Sequence, residues 1–318
     1  MFKYFIAIIS SYVLVTKLIP IFINISFQLD FTDKPTERKK HEKNTPLVGG
    51  ICMHISFSIM YLIFSYKYKI EKSIYILLVA TLILLIGLVD DYYKSRKKEF
   101  PIMPRVIVQI LSASLIFSIG IVFKGFTNPI NGKFIFFHPI IQYIFTITWI
   151  FGLTTVINWS DGMDGIAGSI ASISSITLFF VSLVKVQSDS AITAIILLGS
   201  VLGFLKFNKY PAKVFMGDSG ANFLGFILSI IALEGSFKQA TLISVIIPFI
   251  ILGIPIFDNI FVIIKRFING KEIYKADRSQ IHYRLQKRGL NKKQIFIYIS
   301  ILSGMLSIIS IILALLNI

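Results

Sequence analysis

The side chains of this chain that could do chemistry are acids set beside long apolar runs. The sharpest group is Asn158-Trp159-Ser160-Asp161-Gly162-Met163-Asp164-Gly165-Ile166-Ala167-Gly168, where an amide and two carboxylates recur at every third position with no Lys or Arg among them. If the stretch is helical, Asn158, Asp161 and Asp164 share one face, while Gly162, Gly165 and Gly168 leave the backbone open to a phosphate or a neighbouring helix. Carboxylates at a membrane edge with no counterion of their own need a cation from elsewhere. The Asp and Gly content also suits a calcium loop, but the spacing is not that of an EF-hand.

Four further clusters carry polar groups at the ends of apolar runs. Asp90-Asp91 closes one run. Adjacent helical residues point about 100° apart, so one acid can face the bundle and the other water, and acids at a helix C-terminus call for a compensating cation. Asp218, in Met216-Gly217-Asp218-Ser219-Gly220, precedes another run and suits either a helix N-cap or a metal ligand beside an anion held by helix amides. Asp258, in Pro255-Ile256-Phe257-Asp258, is a costly intramembrane acid and therefore a functional candidate. Asp277-Arg278-Ser279-Gln280-Ile281-His282-Tyr283-Arg284 is a basic loop with one histidine, a type that is more often a surface residue. Lys43, in the basic stretch before Pro46 and Gly49-Gly50, joins Arg284 as a candidate for binding anionic substrate. His54 reads as a hydrogen-bonded interior residue, and His138 lies at the opposite edge of the membrane.

Carboxylates gathered at one interface repel each other and any anionic substrate unless a divalent cation is held there. Mg²⁺, for which Mn²⁺ could substitute, takes one or two carboxylates together with substrate phosphates. Basic loops would meet the remaining phosphate charge, and those are the parts that phosphoryl transfer requires.

The elements that must position these groups are membrane helices. The 318 residues are 55% hydrophobic and 15% charged, with a mean hydropathy of +0.78, far from the roughly 25% charge of a soluble domain. Runs of roughly 20 apolar residues fall at 4–28, 46–66, 73–89, 104–123, 138–157, 166–186, 190–205, 220–236, 240–264 and 295–317. They are continuous rather than alternating, which excludes an outer-membrane barrel. The expected fold is all-α, a polytopic bundle of about ten transmembrane helices forming one integral membrane domain over 1–318. The first run lacks a cleavage site and is expected to be a retained helix.

Most of the 32 Lys and Arg, and all of the 16 Asp and Glu except Glu71, Asp189 and Glu234, fall in or beside one alternate set of loops. The positive-inside rule makes that side cytoplasmic and both termini external, with a cytoplasmic loop at 265–294 as the largest extramembrane piece. A net charge of +16 spread this way fits anionic lipid and anionic substrates, not nucleic acid. The single Cys52, inside a span, excludes a disulfide framework or a thiolate metal site. The 124–137 connection is expected only to join helices.

Asp90-Asp91, the 158–168 run, Phe215-Met216-Gly217-Asp218, Pro255 to Asp258 and the histidine loop, in this order, resemble the polyprenyl-phosphate N-acetylhexosamine-1-phosphate transferase family. The resemblance implies a polytopic enzyme that moves a sugar 1-phosphate from a UDP-sugar to a polyprenyl phosphate such as undecaprenyl phosphate, releasing UMP, with Mg²⁺. By motif it makes Asp218 the metal ligand and Asp90-Asp91 the acidic pair, the first a base for the lipid phosphate. It assigns Asn158, Asp161 and Asp164 to the nucleotide-sugar and active-site run, and His282 to the histidine loop. Asp258 and the histidine loop look more like the branch that starts O-antigen, enterobacterial common antigen or teichoic-acid chains than the peptidoglycan translocase. That branch reads His-x-His-His where this chain has Gln280-Ile281-His282-Tyr283. The expected setting is the inner membrane with a cytoplasmic active site, and a homo-oligomer stays open. The rival reading is a secondary transporter, which would place its ionisable groups at the bilayer midplane in broken helices.

Overall fold

The computed structural model describes residues 1–34, 44–65, 70–128, 131–235, 241–272 and 278–316. Each apolar run has become helix, because a helix satisfies its own backbone groups where no water can. In chain order these are α1 (Phe2–Gln28), α2 (Gly49–Ser65), α3 (Ile70–Ser95), α4 (Ile102–Ser118), α5 (Pro139–Ser160), α6 (Ile166–Val184), α7 (Ser188–Asn208), α8 (Gly217–Gly235), α9 (Leu242–Ile251), α10 (Gly253–Ile268), α11 (Ile281–Lys287) and α12 (Lys292–Leu316).

The chain is an all-α, multi-pass membrane protein, and the count of ten spans is approximate. Among the described residues six helices, α1, α3, α5, α6, α7 and α12, are long and apolar enough to cross a bilayer, and the α9–α10 pair makes a seventh if counted as one span. At 17 residues each, α2 and α4 are short. Polar Asp218, Asn222 and Glu234 dilute α8. The ninth run is not one straight helix, since α9 and α10 meet at a 77° bend. The break lies at Leu252, and Pro255 sits in the first turn of α10, where its missing N–H costs nothing.

α6, α7 and α8 form the centre, and α1, α3, α5 and α12 pack around them. The outer helices turn Phe5, Ile9, Leu78, Leu85, Ile144, Ile301 and Ile308 outward. That pattern is expected of a surface bathed in lipid tails. α10 is divided the same way: Asp258, Asn259, Val262 and Arg266 are buried while Phe257, Ile264, Phe267 and Ile268 are exposed.

Among the described residues two short antiparallel strand pairs interrupt the helices. β1 (Thr32–Asp33) pairs antiparallel with β2 (Thr45–Pro46). The 124–137 connection does more than join α4 to α5: β3 (Gly125–Thr127) pairs with β4 (Phe134–Phe136), and Thr127 bridges to Thr241 at the start of α9. The 265–294 segment is only partly loop, because it contains the end of α10, all of α11 and the first turn of α12.

Candidate active site

α3 and α8 pack side by side in opposite directions, with Lys72 near the start of α3 paired to Glu234 near the end of α8, so the C-terminal end of α3 lies beside the N-terminus of α8, where Asp90, Asp91 and Asp218 gather. Contact is this close because Gly87 has no side chain: a Cβ there would collide with the Ser219 backbone. Asp91 spans the joint. It is fully buried, and its Oδ1 accepts the Asp218 N–H at 2.7 Å while Oδ2 accepts the Ser219 N–H at 3.0 Å and the Ser219 hydroxyl at 2.7 Å. The first amides of α8 are thus capped by a carboxylate from another helix, at the helix end that favours negative charge. Gly217, at φ 71° with Asp91 against its Cα, is a position where a side chain would be strained and would clash.

Because Asp91 does the capping, Asp218 is released from that task. Lys94 Nζ lies 2.6 Å from Asp218 Oδ1 and 3.5 Å from Asp90 Oδ2. Arg105 Nη1 lies 2.7 Å from Asp90 Oδ2 and 3.5 Å from Asp218 Oδ2. Asp90 and Asp218, from two helices, therefore face the same two cations. These are the compensating charges that acids at the end of α3 call for. Lys94 could have been found in the sequence, since it is four residues after Asp90 on one helix face. Arg105 opens the next helix, and nothing in its local sequence points back to Asp90.

The 158–168 run does not form one helical face. α5 ends at Ser160, Asp161 follows as its C-cap, and Gly165 in the left-handed region (φ 77°) starts α6. The run is a turn between two helices, so Asp161 and Asp164 stand on a loop. Asp164 Oδ2 accepts the Ala212 N–H at 3.1 Å. Asn208 ties the same loop to the segment before α8, accepting from Gly165 N and donating to the Val214 carbonyl. These bonds place the 161–165 turn against the strand of chain that leads into Asp218.

His282 is buried rather than on the surface, at 1% exposure. Gly162 makes room for it, since a Cβ at that position would run into the imidazole. Burial, with the Arg284 charge adding to it, pulls the His282 pKa down to about 4. α11 is pinned by Asp258, whose Oδ1 accepts from Arg284 at 2.6 Å and whose Oδ2 accepts the Ile281 N–H at 2.9 Å. Arg284 is thus engaged with Asp258, and it also lies 4.1 Å from the Phe261 ring centroid. Asn158 contributes a buried Nδ2 without a partner. Lys43 lies outside the described residues. His54 is interior, bonded to Thr81 at 3.1 Å, and His138 caps α5 at the far end.

The glycosyl transferase family 4 profile matches residues 73–236, which cover the Asp90-Asp91 pair, the 158–168 turn and Asp218. A "probable undecaprenyl-phosphate N-acetylglucosaminyl 1-phosphate transferase" of Bacillus subtilis is 34% identical over 98% of this chain and 86% of its own length. The chain belongs to glycosyl transferase family 4. An undecaprenyl-phosphate alpha-N-acetylglucosaminyl 1-phosphate transferase of Salmonella typhi is 25% identical over 94% of this family 4 chain and 81% of its own. A phospho-N-acetylmuramoyl-pentapeptide-transferase of Clostridium beijerinckii is 29% identical over 91% and 90%.

As a metal-binding arrangement, the family 4 site is open rather than closed. Among the described residues no three His, Cys, Asp or Glu side chains form a ready cage. Asp90 and Asp218 are the pair that faces a common point. Such a pair fits an ion that binds through one or two carboxylates and completes its shell with phosphate oxygens and water. Asp91, with both oxygens bonded to α8, is a positioning residue.

Proposed function

We propose that this enzyme transfers N-acetylglucosamine 1-phosphate from UDP-N-acetylglucosamine to undecaprenyl phosphate, releasing UMP, at the cytoplasmic face of the inner membrane. The observation that carries the reading is the junction where Asp90 and Asp218 share Lys94 and Arg105. The names of its relatives support the same transfer.

An oxygen of the lipid phosphate forms a new bond to the sugar-linked phosphorus. The bond from that phosphorus to the oxygen of UMP breaks, and UMP leaves with the electron pair. Lys94 and Arg105 are poised to exchange their carboxylate partners for the incoming phosphates, which lowers the repulsion between two anionic substrates. Asp90 orients the attacking oxygen or removes its residual proton. Asp218, with Asp90, would hold Mg²⁺, which when bound neutralises the pyrophosphate charge and the charge developing on UMP. Asp161, Asp164, Asn158 and His282 line the side where the nucleotide-sugar would enter, and the exposed apolar face of α10 offers the polyprenyl chain a lipid-side path.

The test uses purified full-length protein with undecaprenyl phosphate and UDP-N-acetylglucosamine. UMP should appear with Mg²⁺, vanish with EDTA and return when Mg²⁺ is restored. No UMP from any UDP-sugar, with ion flux in liposomes, would return the transporter reading. A transporter would share the broken α9–α10 pair, but its acid, Asp258, is bonded to Arg284 and Ile281.

A further inference from the structure

α4 stands diagonally across from α8, with α3 and α5 between them, each packed on both. Two polar contacts cross that diagonal. At the site, Arg105 of α4 reaches Asp218 of α8 at 3.5 Å. Four residues further along each helix, Gln109 Nε2 donates to Asn222 Oδ1 at 3.4 Å. Residues four apart stand one above the other on a helix, so the amide contact lies one turn beneath the charged one. Gln109 and Asn222 are 7% and 2% exposed. On α4 the buried face continues through Ser112 to Ala113 and Ile116, so it is polar beside the site and apolar beyond it.

Folding stability does not account for the pair. Two apolar side chains of the same shape would pack about as well, and a side-chain hydrogen bond between membrane helices is a weak tie. Its place does account for it. Arg105 stands in the first turn of α4, the helix end that disfavours a cation, and Pro101, the residue before that turn, supplies no side-chain cap. Asp90 and Asp218 attract the guanidinium, but a Coulomb attraction has no set length or direction. An amide pair one turn beneath supplies both, because its geometry is narrow and a turn of helix moves as one piece.

Resting on the transfer reading above for what Arg105 does, we propose that Gln109 and Asn222 are positioning residues: their amide pair braces α4 against α8 and holds Arg105 at the height where it meets both Asp90 and Asp218.

The test uses the full-length protein and two readouts, of which the first needs no turnover. With Arg105→Cys in a Cys52→Ser background, the rate at which an impermeant thiol reagent reacts at position 105 reports how firmly the first turn of α4 is held. Adding Gln109→Leu or Asn222→Leu should raise that rate at least about threefold, the scale of one hydrogen bond between membrane helices. The exchange Gln109→Asn with Asn222→Gln keeps both amides and their combined length, and should bring the rate back. The second readout is turnover with Arg105 in place. Each leucine variant should lose about tenfold in kcat, as a displaced charge-stabilising group would cause, while KM for either substrate and the melting temperature hold. The double leucine variant should lose no more than either single one, because both break the same brace, and the exchange should recover most of the rate. Unchanged labelling in both leucine variants would overturn the brace, whatever turnover does. Raised labelling with full turnover, or with losses that multiply in the double variant, would overturn its role in the reaction. Wild type that forms no UMP from any UDP-sugar, with labelling raised as expected, would overturn the transfer reading and keep the brace.

Discussion

Asp91 and Asp218 sit on opposite sides of one hydrogen-bonded joint and should respond to the same substitution in opposite ways. Asp91→Asn turns an amide N–H toward the donors of Ser219 and Asp218, so the joint should lose about 1–3 kcal/mol and the protein should melt earlier. Asp218→Asn removes one of the two acids that share Lys94 and Arg105, so the fold should hold while turnover falls at least about a hundredfold, the scale of losing a group that stabilises transition-state charge. Cys52, the single and buried cysteine, provides the melting readout through a thiol-reactive fluorophore. A wild-type rate in Asp218→Asn would remove it from the reacting centre. His282 makes a second prediction at this scale. Its pKa, about 4 when folded against about 6.5 in the unfolded chain, means that the unfolded chain takes up the proton first as pH falls. The stability is therefore complete above pH 6.5 and drains away between 6.5 and 4, by about 2 kcal/mol between pH 7 and 5. The same melting assay should show that acid-dependent loss in wild type and a smaller one in His282→Gln.

Between elements, the decisive contact is α3 against α8, and it depends on the absence of a side chain at Gly87. Gly87→Ala must push α8 away or bend α3, at about 1–3 kcal/mol. It should also separate Asp90 from Asp218, so activity should fall further than the melting temperature alone would suggest. An alanine variant that kept full turnover would show that the junction tolerates a wider gap. The α9–α10 bend belongs to the same scale. It turns Asp258 and Asn259 inward to meet α11 and α5, and leaves Phe257, Phe267 and Ile268 facing out. A straight ninth helix would carry the same residues past the site.

Across the whole molecule, Asp90, Asp91, Asp161, Asp164, Asp218 and Asp258 lie at one end of the bundle, and Glu71, Glu234 and the β3–β4 hairpin at the other. Cysteines placed in a Cys52→Ser background at Lys287 and at Lys133, both on exposed ends, should react with an impermeant thiol reagent from opposite sides of the membrane, Lys287→Cys only from the cytoplasmic side. Labelling of both from one side would break the proposed orientation. Much of this was legible in the sequence. Span length and continuous apolarity announce helices because lipid leaves a backbone no other partner, and the positions of Asp90, Asp161, Asp164 and Asp218 at span ends place them at one interface by counting alone. What periodicity could not supply is which carboxylate does what. The 158–168 spacing suggested one helical face, yet Gly165 and the end of α5 make it a turn. Asp218 looked like a cap or a ligand, and only the approach of α3 showed that Asp91 takes the capping bonds. Arg105 was invisible as a partner because its link to Asp90 runs between helices. Hydropathy is a property of each segment and is written in the local sequence, whereas the sharing of charges and hydrogen bonds depends on which helix ends meet, and that is decided by packing.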